Sequence, residues 1–221
     1  MEREGYRCEA TTLEGFIQQL AVGYVSRGYV FYVCGWVPER KEPREVDRRL
    51  IAKYGISISK WTRARRKQAG YANVQYLRFE RFFVLLATVG RHPFLEMESK
   101  LIRDCRKTPI KFGGYAVGST GRHARVRIER EQYNLLKAYF SELALRRSAS
   151  TLERMIATLP FEPYAAVYRQ KWGLVRAVNE IRKAAGYDPI APELRKFRRR
   201  VKPFAPMKLG DAVETMVQIE L

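Results

Sequence analysis

The chain has 221 residues and a formal net charge of +19, from 42 Lys and Arg against 23 Asp and Glu. A hydrophobic fraction of 46% is ample for a real core and excludes global disorder. The charge excess is far beyond what solubility needs and points to an anionic partner, nucleic acid first and an acidic membrane surface second.

Cys8, Cys34 and Cys105 are widely spaced, with no CxxC pair, and the histidines are His92 and His123. A structural zinc site needs four ligands at clustered spacing, and none is visible. The simplest expectation is reduced thiols in a cytoplasmic protein, with no metal or other cofactor evident. The N-terminus, MEREGYRCEATT, is charged and lacks an apolar signal region. No apolar run approaches a membrane span, and no long, strongly amphipathic basic helix stands apart from the folded core, so no membrane partner is expected.

In chain order, Thr12 opens a helix whose Leu13, Phe16, Ile17, Leu20, Tyr24 and Val25 recur at three- and four-residue steps. Residues 29–37 (YVFYVCGWV) are β-branched and aromatic on both faces, which predicts a central strand. Pro43 suits the first turn of a second helix with Val46, Leu50, Ile51 and Tyr54 inward. Residues 59–70 (SKWTRARRKQAG) then predict a cationic helix, capped by Ser59 and ended by Gly70. Lys60, Arg63, Arg65, Arg66 and Lys67 crowd it without an internal carboxylate, and Trp61 stands at its start. Residues 63, 66 and 67 fall on one face.

Residues 73–79 and 82–88 predict two strands joined at Glu80-Arg81, a tight connection without the usual Gly or Asn. Residues 94–105 predict a short helix. Residues 109–118 predict another strand, in which Gly113-Gly114 marks a bulge or a close backbone approach. A turn at Ser119-Thr120-Gly121-Arg122 returns the chain through 123–128 (HARVRI). Here Ala124, Val126 and Ile128 alternate with His123, Arg125 and Arg127. Cations two residues apart on a strand face lie about 7 Å from one another, close to a phosphate repeat. Helices follow from Glu129 through Leu143, from Ser148 to Leu159, and from Pro163 to Gly186. A last basic helix is predicted over 193–201 (ELRKFRRRV), with Leu194, Phe197 and Val201 on one side.

This order predicts an α+β fold, with a mainly antiparallel sheet of about five strands, flanking helices and a helical C-terminal lobe. The expected division is a basic core at 1–147, a helical basic lobe at 148–205 and a tail at 206–221. If its basic stretches converge, the protein has a groove for DNA or structured RNA. The candidate contacts are Lys60, Trp61, Arg63, Arg65, Arg66, Lys67, Arg122, His123, Arg125, Arg127, Arg195, Lys196, Arg198, Arg199, Arg200 and Lys202. Tyr71, Tyr76 and Tyr115 lie near these stretches, either to stack on unpaired bases or to fill the core. Such a protein suits a mobile element or a nucleoprotein complex with further protein partners.

The alternative is a nuclease or nicking enzyme on the same face. His123-Ala124-Arg125 on a strand, followed by Tyr133 and Tyr139 on a helix, resembles a fragment of the HUH-type nicking enzymes. That family carries two metal-binding histidines around one apolar residue and a tyrosine nucleophile. Arg125 stands where the second histidine belongs, and the resemblance covers only these residues. Glu96, Glu98 and Lys100, with Asp104 nearby, form an E-x-K fragment of the kind that holds Mg²⁺ at a scissile phosphate. Mg²⁺ is implied only for this alternative.

Overall fold

Thr12 starts helix α1 (Leu13–Gln18): its hydroxyl accepts from the Gly15 N–H at 3.0 Å. The helix continues through a π-helical turn (Gln19–Tyr24) and a 3₁₀ turn (Val25–Arg27), which keep Phe16, Ile17, Leu20, Ala21, Tyr24 and Val25 buried. This computed structural model describes residues 6–121, 123–197 and 200–205. Arg122, Arg198, Arg199, residues 1–5 and the expected tail at 206–221 lie outside the described residues.

The fold is α+β with mainly antiparallel pairing, as the sequence implies, but the strands divide between two sheets. The larger contains β1 (Glu9–Ala10), β2 (Phe31–Trp36), β3 (Val74–Phe79), β4 (Phe82–Ala87) and β5 (Arg103–Asp104), in the order β1-β3-β4-β2-β5. Among these strands only β1 against β3 is parallel. The smaller is the meander β6 (Ile110–Phe112), β7 (Tyr115–Thr120) and β8 (His123–Ile128). Helices α2 (Pro43–Lys53), α3 (Lys60–Gln68), α4 (Pro93–Met97), α5 (Arg130–Leu143), α6 (Ala149–Ala157) and α7 (Ala165–Ala184) complete it.

Period-two alternation sorts the side chains. Leu77, Phe82, Val84, Leu86 and Tyr32 share one core with α1, its π turn, and Ile110, Tyr115, Val117, Val126 and Ile128 of the small sheet. Val74, Tyr76, Leu85 and Ala87 point the other way, onto Tyr54, Ile56 and Phe94. The α1 layer is therefore packed between the two sheets, and α2 and α4 cover the far side of the large one. A third cluster joins Phe140, Leu152, Ile156, Leu174, Val175 and Val178 of α5–α7 with Ile190 and Leu194.

Three predicted elements are corrected. The single strand over 109–118 is a hairpin. Gly113 and Gly114 occupy its two turn positions at φ 55° and 76°. Two left-handed residues in succession are the requirement of a type I′ turn, whose twist matches the flanking strands. The helix over 94–105 stops at Met97, and Arg103–Asp104 instead pairs with β2. The basic helix expected over 193–201 is not found among the described residues: 191–197 and 200–201 are irregular. Distant anchors hold that segment. The Asn179 amide bonds both the N–H and the C=O of Ile190, the Gln18 amide donates to the Val201 C=O, and Leu194 is buried. Tertiary contacts of this kind override helix propensity.

Candidate nucleic-acid interface

The local structure of α3 follows its sequence. The Ser59 hydroxyl accepts from the Thr62 N–H at 3.1 Å, and Gly70 takes φ 76° just past the helix. The helix buries no side chain. Polar contacts fasten it to the start of β3: Arg66 Nη2 donates to the Ala72 carbonyl at 3.2 Å, and Asn73 Nδ2 donates to the Arg63 carbonyl at 3.0 Å. Arg63 and Arg66 are thus half-buried and face the body, while Lys60, Trp61, Arg65 and Lys67 are exposed. The face at 63, 66 and 67 is split accordingly, with only Lys67 outward.

Hydrogen bonds trace which basic segments meet. Arg91 exchanges bonds with Gly70 (N–H to C=O, 3.1 Å) and Ala72 (C=O from N–H, 3.0 Å), which ties the turn after β4 to the end of α3. Thr88 N–H bonds Asn73 C=O, Val30 N–H bonds Ala87 C=O, and Cys105 N–H bonds Val30 C=O. Ser119 N–H then reaches Cys105 C=O. The end of α3, the 88–93 turn, the β5 segment and the tip of the β7–β8 hairpin therefore lie along one end of the sheets. From β3 to β5 is three strand steps, roughly 15 Å. Arg91, Arg103, Lys107, His123 and Arg125 are exposed along this end. Arg106 is also there, but Asp104 holds it at 2.7 Å. Arg127 is half-buried, farther along β8.

The described part of the C-terminal basic segment does not join them. Thr11 N–H bonds Pro203 C=O at 3.0 Å, and Ala10 registers with Phe79, the opposite end of β3 from Val74. Arg195 pairs with Glu162 at 2.6 Å, and Lys196, Arg200 and Lys202 are exposed. Arg122, Arg198 and Arg199 fall outside the described residues. Sequence reasoning missed Arg91, Arg103 and Lys107. Their signal is positional: each follows or begins a strand at the end from which α3 enters.

A pocket of about 420 Å³ opens beside α3, lined by Arg66, Tyr71, Arg91, His92, Pro93 and Glu96. Two guanidiniums lie over the Tyr71 ring: Arg91 at 5.3 Å and Arg66 at 6.0 Å from its centroid. His92 is a turn residue. Its Nδ1 accepts from the Phe94 N–H at 3.0 Å and caps α4. Burial, and then the charge of Arg66, push its pKa below the usual imidazole value.

Among the aromatics, Trp61 is 77% and Tyr71 45% exposed, whereas Tyr76 and Tyr115 are core residues. The Tyr76 hydroxyl donates to Asp47, and the Tyr115 hydroxyl accepts from the Glu162 N–H.

The residues of the nuclease alternative are dispersed. His123 opens β8 at the hairpin tip, and Tyr133 follows the other end of that strand in the first turn of α5. Tyr133 Oη sits against Gly173 and leaves no room for a Cβ there, and burial raises its pKa against the opposing charge of Arg176. Glu98 is the residue after α4; its carboxylate accepts from Tyr54 Oη and pairs with Lys53 Nζ at 3.1 Å, so it fastens α4 to α2. Among the described residues no group of three His, Cys, Asp or Glu side chains is placed to hold a metal ion. Among them, too, no helix is long and apolar enough to cross a membrane. No protein-family model matches the chain, and no curated protein matches it in sequence.

Proposed function

We propose that this protein binds nucleic acid, DNA or structured RNA, through the end of the sheets that carries α3, the 88–93 turn, the β5 segment and the β7–β8 tip. One observation carries the reading. Lys60, Arg65, Lys67, Arg91, Lys107 and Arg125 are exposed there, and among the described residues none of them enters an ion pair. Unneutralised cations from four separate segments suit a phosphate backbone, which offers regularly spaced charge and gives up condensed counterions when bound. Trp61 adds an exposed ring next to that charge, as in surfaces that hold unpaired bases.

The test is the salt dependence of binding to labelled single- and double-stranded DNA and RNA. Replacing Lys60, Arg65 and Lys67 together by Ala lowers affinity and flattens the slope of log K against log salt by about 2–3, since each lost phosphate contact removes roughly 0.7–0.9. A variant whose slope equals that of the wild type would remove α3 from the interface. Cleavage of these strands with Mg²⁺ or Mn²⁺, abolished by Tyr133→Phe or Glu98→Gln, would replace a binding protein with a nuclease.

A further inference from the structure

The pocket beside α3 has more structure than a phosphate backbone lying on a surface requires. Two guanidiniums line it, and one tyrosine ring holds both. Arg66 is partly committed: Nη2 is bound to the Ala72 carbonyl, and Nε is buried with no acceptor among the described residues. A buried N–H of this kind calls for an acceptor that arrives with water or with a ligand. Arg91 is exposed and in no ion pair among the described residues, so its fork is open. Glu96, the remaining charged residue of the lining, is an acceptor for a sugar hydroxyl or an exocyclic amine, groups that a nucleoside has and inorganic phosphate lacks. The volume, about 420 Å³, is that of a small-ligand site.

We infer that this pocket binds a phosphomonoester carried on a nucleotide, with the phosphate between Arg66 and Arg91 and the nucleoside toward Glu96 and Pro93. Two guanidinium groups match the double charge of a monoester better than the single charge of an internal diester. Tyr71 is a positioning residue: its ring fixes the two forks before the phosphate arrives. The phosphate has two possible sources, the end of a nucleic-acid strand or a free mononucleotide. Only the first rests on the function proposed above.

The experiment measures dissociation constants for single strands bearing a 5′-phosphate, a 3′-phosphate or neither, and for AMP and inorganic phosphate. Wild-type protein should prefer one phosphorylated end over the unmodified strand by about tenfold or more, and bind AMP more tightly than inorganic phosphate. Arg91→Ala should abolish the end preference and the AMP binding. Tyr71→Leu, which keeps every cation, should reduce that preference severalfold, an effect that loss of surface charge does not explain. Arg125→Ala, at the hairpin tip, should weaken all strands alike and preserve the ratio. AMP binding without any end preference would assign the pocket to free nucleotides, and this result stands even if no strand binds. Strands bound with no end preference, together with no AMP binding, would overturn the pocket and leave the nucleic-acid reading intact. So would an end preference or AMP affinity unchanged in Arg91→Ala.

Discussion

Arg78 is only 2% exposed yet keeps its charge, because its neighbours complete its hydrogen bonds. Asp47 receives Nε at 2.9 Å and Nη2 at 2.9 Å, Glu9 lies 3.2 Å from Nη2, and Nη1 donates to the Glu80 carbonyl. Tyr76 Oη donates to the same carboxylate at 2.6 Å. This network joins α2 to β3, and its bond to Glu80 accounts for a turn without glycine: Glu80 sits at φ 52°, a strained value for a side chain with a Cβ. Asp47→Ala should cost about 3–5 kcal/mol in urea unfolding, because it strands a buried cation. Changing Asp47 and Arg78 together to Leu and Met should recover much of that loss. His92 gives a second test. Its folded pKa lies below the ordinary value, so as pH falls below about 6.5 the unfolded chain takes up a proton first and stability declines. His92→Asn keeps a capping acceptor but not the titration, so its Tm should fall less between pH 7 and pH 5.

At the level of elements, α3 depends on its cap more than the other helices do, because no buried apolar side chain supports it. Ser59→Ala should cost about 1 kcal/mol locally and speed amide hydrogen exchange in α3, with little change in β3 or β4. The caps of α1 and α3 and the β3–β4 pair were legible in the sequence, since each rests on local residues with one physical role. The β6–β7 hairpin reads as one strand in the sequence, although two consecutive glycines between apolar runs also suit a turn. Two other features were not legible. The irregular course of 191–197 depends on Gln18 and Asn179, which no local pattern connects to it. The inward turn of Arg63 and Arg66 was hidden because a helix made almost wholly of cations has no apolar stripe to orient it.

For the molecule as a whole, the described parts of the predicted basic stretches lie at two ends of the sheets, not one. The candidate interface was readable in its α3 and β8 parts, but the topology removes the C-terminal stretch from it and substitutes Arg91, Arg103 and Lys107. A direct comparison separates the two ends. Lys67→Glu with Arg125→Glu should weaken nucleic-acid binding by well over tenfold, through lost contacts and added repulsion. Replacing Lys196, Arg200 and Lys202 by Ala should change it by less than about threefold at physiological salt, since screening limits their reach to about 8 Å. Equal effects at both ends would mean that net charge, and not this surface, sets affinity.

A helix that stands outside every apolar cluster is free to drift. Substitutions at the outward positions of α3 meet no steric demand from the interior, so related chains can rewrite these letters while the sheets beneath keep their composition. What the protein recognises and how firmly it folds are thereby able to evolve at separate rates.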